Sequence, residues 1–360
     1  MPTTVVQAAN CVTEQRAQLK AFGQKAFIVT GKNSAKKSGA LDDILEALLE
    51  NGQEYVLYDQ IMNNPTIDCA YEGGALARKE KADFVIAIGG GSPMDAAKVM
   101  ALLACQEIPR NALFSGRYEK QVLPIIAVPT TSGTGSEVTP YAILTNDVAE
   151  TKSSVATPQI FPELALLDGK YTMDLSQEIT VDTAIDALSH AMEGYLSVKA
   201  GTITDGLAEK SISIIGDVLP SLQKGTYTLE ERNQLMKAST LAGMVIANTG
   251  TTLVHAMGYP LTYFHKIAHG RANAFLLGGY LQWMEESEPQ KVENILNGLG
   301  CSSVKEFSVI TENLLGEKMA LSKEDIQKYA ERVAKAPQLK NGLAQPSVEI
   351  IEMIYTGTLK

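Results

Sequence analysis

Cysteine is scarce: the 360 residues hold four, Cys11, Cys69, Cys105 and Cys301, far apart and never as CxxC. That spacing argues against a disulfide framework. Basic charge is in deficit, with 31 Lys and Arg against 41 Asp and Glu and a formal net charge of −10, so nucleic acid is a poor partner. No uncharged apolar run reaches the ~18–20 residues of a membrane span. Met1 to Cys11 shows no basic stretch leading into an apolar core, so no secretory signal is expected. Aromatics are not enriched, and no 20–50-residue repeat is apparent. The expectation is a cytoplasmic protein with reduced thiols and neither a membrane nor a nucleic-acid partner.

What is present is an ordinary globular composition, 45% hydrophobic and 20% charged, at a length that favours two domains. Short apolar, β-branched runs at Lys25–Thr30, Glu54–Tyr58, Asp83–Ile88, Leu123–Val128 and Leu164–Leu167 read as strands. Between them lie helical patterns: Leu41 to Leu49, stopped by Asn51-Gly52; one opened by Asn64-Pro65-Thr66 with Pro in its first turn; and one from about Met94 to Cys105. Such alternation argues for a parallel sheet covered by helices. After about Tyr171 the texture turns to long amphipathic patterns, as in 183–195, 204–219, 229–247 and 270–286. The expected fold is a Rossmann-like α/β domain with a parallel sheet over 1–171, followed by an all-helical domain over 172–360.

The four histidines, His190, His255, His265 and His269, all fall in one window of the second half. Asp186 stands four residues before His190, which on a helix sets carboxylate and imidazole on one face a turn apart. The pair is either half of a metal site or a surface pair. His255, within the apolar Leu253–Leu261, is either a ligand or a satisfied core histidine. In the first half, Gly89-Gly90-Gly91-Ser92 sits between a strand and a helix, where free N–H groups and the helix dipole bind phosphate. It matches neither GxGxxG nor the P-loop pattern, and it equally suits a tight turn. The Ser/Thr/Gly loop Pro129–Thr139 follows another strand. Two such loops at strand C-termini are where an open parallel sheet binds ligands.

In order, these motifs are Gly89-Gly-Gly-Ser-Pro-Met-Asp95, Pro129-Thr-Thr-Ser-Gly-Thr-Gly-Ser-Glu-Val-Thr139, Asp186-Ala-Leu-Ser-His190-Ala-Met-Glu-Gly-Tyr195 and His255-x13-His269-Gly270. Together they resemble the iron-containing (group III) alcohol dehydrogenases, which include 1,3-propanediol, lactaldehyde and butanol dehydrogenases and are related to glycerol dehydrogenase and dehydroquinate synthase. The resemblance runs from roughly Lys25 to Leu281. It implies that Asp186, His190, His255 and His269 ligate one divalent ion, usually Fe2+, through which an NAD(P)(H)-linked enzyme interconverts a small primary alcohol and its aldehyde. Zn2+ is able to displace weakly held Fe2+. It further implies that Gly90, Gly91, Ser92 and Asp95 border the cofactor pyrophosphate. Asn64, Thr130, Thr131 and Thr139 would line the nucleotide groove, and Lys152 would lie near the nicotinamide ribose. A homodimer is implied as well.

One departure stands out. Many members carry another histidine four residues after the third ligand, where this chain has Tyr259. A phenol also donates and accepts a proton, so Tyr259 is the relay candidate, with His265 a nearby second or merely a surface residue. The turn after the first strand, Gly31-Lys32-Asn33-Ser34 with Lys36 and Lys37 behind, has cations and hydroxyls and no carboxylate. An acidic side chain there would hold a ribose 2′-OH and repel a 2′-phosphate, so Gly31, Lys32 and Ser34 point to NADP(H) over NAD(H). Two rivals remain: a glycerol-dehydrogenase- or dehydroquinate-synthase-like reaction on the same fold, and a non-catalytic nucleotide- and metal-binding protein. Met192, Ala247 and Met257 either line an apolar substrate pocket or pack the core.

Overall fold

Most apolar runs of the first half are strands buried on both faces, as in a sheet covered by helices, whereas the edge run from Glu54 is largely exposed. In the computed structural model, which describes residues 2–316 and 320–357, they form part of one six-stranded parallel sheet. Its members are β1 (Thr4–Gln7), β2 (Lys25–Gly31), β3 (Glu54–Ile61), β4 (Phe84–Gly89), β5 (Ile125–Pro129) and β8 (Leu164–Leu167), in the order β1-β8-β5-β4-β2-β3. β6 (Tyr141–Asn146) and β7 (Thr151–Ala156) form a separate antiparallel hairpin. Neither β1 nor the hairpin was expected. The four residues of β1 are too few to show a period, and Thr151-Lys-Ser-Ser alternates no apolar residues.

The chain leaves β2 for β3 on one side and returns to place β4 on the other. This Rossmann-like reversal creates a switch point between β2 and β4, and ligands bind outside the strand C-termini at such points. α1 (Ala40–Asn51) ends where Gly52 takes φ 71°, a conformation glycine adopts without strain. α2 (Ile67–Lys79) is capped by Thr66, whose Oγ1 accepts from the Cys69 N–H. Pro65 therefore lies before the cap, and not in the first turn as the sequence suggested. α3 (Gly91–Cys105) starts three residues before Met94, with Pro93 in its first turn, where no N–H is missed.

The chain divides into two compact units, Met1–Leu175 and Ser176–Lys360. The boundary lies beyond 171/172 because the short turn Gly169–Thr172 follows β8 directly. The second unit is helical: α4 (Gln177–Tyr195), α5 (Thr202–Lys224), α6 (Leu229–Thr249), α7 (Leu253–Phe264), α8 (His269–Ser287) and shorter helices after them. Ser176 caps α4, and Thr228 with Glu231 forms a reciprocal box at the start of α6. From Thr180 to Tyr195 every residue of α4 except Thr183 is buried, including Asp182, Asp186, His190 and Glu193. Buried groups of this kind cost free energy unless they are partnered. Among the described residues no helix is long and apolar enough to cross a membrane.

Candidate metal centre and nucleotide loops

The partners of those α4 groups come from α7 and α8. Asp186, His255 and His269 each offer a ligand atom, all within 4.8 Å of one another. Asp186 Oδ1 is 3.9 Å from both His255 Nε2 and His269 Nε2. His190 joins through His255: the rings stack at 4.5 Å and their Nε2 atoms lie 2.9 Å apart. His265 stays away from this group; it is exposed and meets Tyr329 Oη at 2.9 Å. Tyr259, one turn after His255 on α7, lays its ring on His269, centroids 5.8 Å apart. Met192 and Met257 are fully buried in the helical core, so core packing accounts for them.

Two residues not singled out in the sequence hold this group in place. Glu193, fully buried, accepts from His255 Nδ1 through Oε2. Its Oε1 accepts from the Thr252 N–H (2.9 Å), the Thr252 hydroxyl (2.8 Å) and the His255 N–H (3.3 Å). It thus serves as the capping anion for the first turn of α7, from another helix. Asn273 is the second: its Nδ2 donates to Asp186 Oδ1 at 2.9 Å and lies 3.3 Å from His255 Nε2. Its Oδ1 is buried without a hydrogen-bond partner and faces Gly258, where a Cβ would overlap it. Spacing offered a signal for both, since Glu193 follows Asp186 by seven residues and Asn273 follows His269 by four. The partners that give the spacing meaning lie in other helices.

The electrostatics are mutual. Burial pushes the Asp186 carboxyl up, but His190, His269 and His255 outweigh it and hold it below its ordinary value. Burial pulls the His255 imidazole down, and Glu193 more than reverses this. The donor set fits a divalent ion. It is three imidazoles and a carboxylate with no thiolate, suited to iron or zinc, and the Nε2 atoms of His190 and His255 are close enough to share one cation. The carboxylate behind His255 is the outer-shell partner that ligating histidines generally have.

In the first unit the predicted loops lie side by side. Thr30 pairs with Ile88 and Gly89 with Pro129, so the 31–34, 89–92 and 130–139 segments leave neighbouring strand ends. Gly89 has φ 149°, and a Cβ there would lie 2.6 Å from Pro93. At Gly90 and Gly91 it would meet Thr131 Oγ1 at 2.9 Å and Thr134 Cγ2 at 2.7 Å. The glycines are therefore needed for turn and loop packing, with the Thr131 and Thr134 side chains lying against the start of α3. The Asn64 N–H donates to Ser92 Oγ at 3.2 Å, and the Thr130 N–H to Gly89 O at 3.0 Å. Lys152 lies on β7 opposite Thr145, whose hydroxyl donates to Asn64 O. Lys32, Ser34, Lys36 and Lys37 are exposed around Gly31.

Asp95 and Thr139 belong to a buried hydrogen-bond network around Lys98. Asp95 accepts from Ser136 Oγ (2.8 Å) and the Ile143 N–H (3.0 Å). Lys98, one turn on and fully buried, donates to Ser136 Oγ, Thr139 O and Tyr141 O at 2.7–2.9 Å and to Thr139 Oγ1 at 3.3 Å. Burial lowers its ammonium to about 8 against the pull of Asp95 and Glu137, and burial also raises Asp95. Both side chains thus fasten the 130–139 loop and the hairpin to α3.

A nucleotide-type α/β unit followed by a helical unit with a carboxylate–imidazole centre defines a metal- and nucleotide-dependent class of protein. Two family models cover nearly the whole chain: "Iron-containing alcohol dehydrogenase" over residues 2–169 and "Fe-containing alcohol dehydrogenase family, C-terminal" over 180–359. The chain belongs to the iron-containing alcohol dehydrogenase family. It is similar to long-chain-alcohol dehydrogenase 1 of Geobacillus thermodenitrificans, 34% identical over 290 residues, 79% of this chain and 73% of that protein. An iron-containing alcohol dehydrogenase from Thermotoga maritima superposes with TM-score 0.92 at 40% identity, covering 100% of this chain and 98% of that one. Sulfoacetaldehyde reductase of Bifidobacterium kashiwanohense, solved in complex with NAD+, does so with TM-score 0.90 at 27% identity, covering 100% and 97%.

Proposed function

We propose that this protein interconverts a small primary alcohol and its aldehyde, using NADP(H) in preference to NAD(H) and a divalent ion, Fe2+ first with Zn2+ able to replace it. The observation that carries the reading is the meeting of Asp186, His255 and His269 within 4.8 Å, with His190 against His255. These four side chains would hold the ion. When bound, it supplies a Lewis acid that acidifies an alcohol hydroxyl or polarises an aldehyde carbonyl. In oxidation a bound nicotinamide would accept the hydride at C4, and the hydroxyl proton would leave through the Tyr259 phenol, a role supported by its ring lying on His269. Membership of a family of alcohol dehydrogenases favours this reading over the dehydroquinate-synthase-like and non-catalytic alternatives.

For the nucleotide, Gly90, Gly91 and Ser92 would present the start of α3 to the pyrophosphate, with Asn64, Thr130 and Thr131 lining the groove and Lys152 near the nicotinamide ribose. Preference for the 2′-phosphate rests on Gly31, Lys32 and Ser34, where the absence of a carboxylate removes the usual repulsion. Asp95 and Thr139 would border the same groove while their hydrogen bonds fix the loop. The reading extends to a homodimer in the cytoplasm, a compartment in which the four free thiols stay reduced.

The test is NADPH oxidation with a short aldehyde by metal-stripped protein, with Fe2+ or Zn2+ added back, for wild type and His269→Ala. Activity that returns with metal and is lost in the variant supports the reading, and NADH in parallel decides the nucleotide. Full activity in stripped protein or in the variant overturns the metal mechanism.

A further inference from the structure

Glu193 has a role beyond filling a buried position. We infer that it is a positioning residue that fixes the tautomer of His255, and so decides whether that histidine can ligate; the inference rests on the metal reading above. A carboxylate accepts hydrogen bonds and donates none. With Oε2 against His255 Nδ1, the ring proton sits on Nδ1, and the Nε2 lone pair is left facing Asp186, His190 and His269. Three donors saturate Oε1: the N–H and hydroxyl of Thr252 and the N–H of His255. Tyr280 Oη stands 3.4 Å from the Thr252 hydroxyl, so the arrangement is backed by a second buried side chain.

The three donors also dictate what an isosteric amide would do. In Glu193→Gln the carbonyl oxygen must take the Oε1 corner, because that corner receives only donors. The NH2 group then faces His255 Nδ1 and requires it to accept. The ring proton moves to Nε2, and the lone pair that would bind a cation is gone. Shape and burial are unchanged, so the substitution separates tautomer control from packing.

The experiment measures Zn2+ affinity by chelator competition for wild type and Glu193→Gln, with 15N NMR of the histidine side chains in both metal-free proteins. Outer-shell substitutions typically cost 10–100-fold in metal affinity, and a loss of about 100-fold is expected here, with His255 protonated on Nδ1 in wild type and on Nε2 in the variant. Zinc binding within twofold of wild type, or an unmoved His255 proton, overturns the inference while the metal reading stands. Wild type that binds no zinc overturns the metal reading itself. Should Glu193→Gln not fold, the wild-type spectrum decides: Nδ1–H on His255 supports the inference and Nε2–H overturns it.

Discussion

Gly270 faces the Asp182 carbonyl oxygen so closely that a Cβ on it would fall well under 3.0 Å from that oxygen, and 3.0 Å from the Asp186 Cβ. The glycine after His269 is therefore where the first turn of α8 approaches α4 at the level of Asp186. Arg271, the next residue, reinforces the approach through Asp182 at 3.1 Å. Gly270→Ala forces the two helices apart. Overpacking of this kind typically costs about 1–3 kcal/mol, and urea unfolding should show that loss together with weaker metal binding. A variant as stable and as tight-binding as wild type would mean that the approach is not needed.

Metal should act on stability as well as on turnover. A ligand held by the native state alone adds about 2.7 kcal/mol at 100 times its Kd. Thermal unfolding of stripped protein titrated with Zn2+ should move upward, and the rise should vanish in Asp186→Asn. An unchanged transition in wild type would count against a site at this cluster.

Lys98 gives a pH dependence of known sign. Its folded value is about 8 against 10.5 for an ordinary lysine. Between these values the unfolded chain binds more protons, so the penalty for burying the charge is full below about 8 and fades as pH rises toward 10.5. Wild type should therefore gain stability relative to Lys98→Met across pH 8 to 10.5, by about 3 kcal/mol at 1.36 kcal/mol per pH unit. The gap is read from denaturant curves at several pH values, and a flat gap would place the Lys98 titration elsewhere.

Nucleotide preference should be movable at the end of β2. Gly31→Asp places a carboxylate where NAD enzymes hold the 2′-OH, with its Cβ 3.2 Å from Ile61 O, so a small local shift is needed. The ratio of kcat/KM for NADPH over NADH should fall at least tenfold, about 1.4 kcal/mol. An unaltered ratio would remove this turn from the account of specificity.

Tyr259→Phe keeps the ring on His269 and removes only the hydroxyl. If that hydroxyl passes the proton, kcat should fall about 100-fold, at the low end for general acid–base catalysis, with Zn2+ affinity unchanged. Equal kcat would assign the relay elsewhere.

The sequence alone determined the parallel α/β unit, the helical unit after it, the loops at the strand ends and the small set of candidate ligands. These follow from local patterns: apolar runs of strand length, glycines after strands, and Asp186 and His190 one turn apart on a helix. β1, the polar hairpin and the extra turn of α3 escaped because length, polarity and a glycine cap each hide the pattern. Only the tertiary structure decided which histidines meet, that His265 does not join them, and that Asp95 is bound to Ser136 and Ile143. It alone disclosed Glu193, Asn273 and Lys98. Periodicity fixes which face of a helix a residue occupies, whereas the partner that a buried polar group must find is chosen by packing between segments 40 to 90 residues apart.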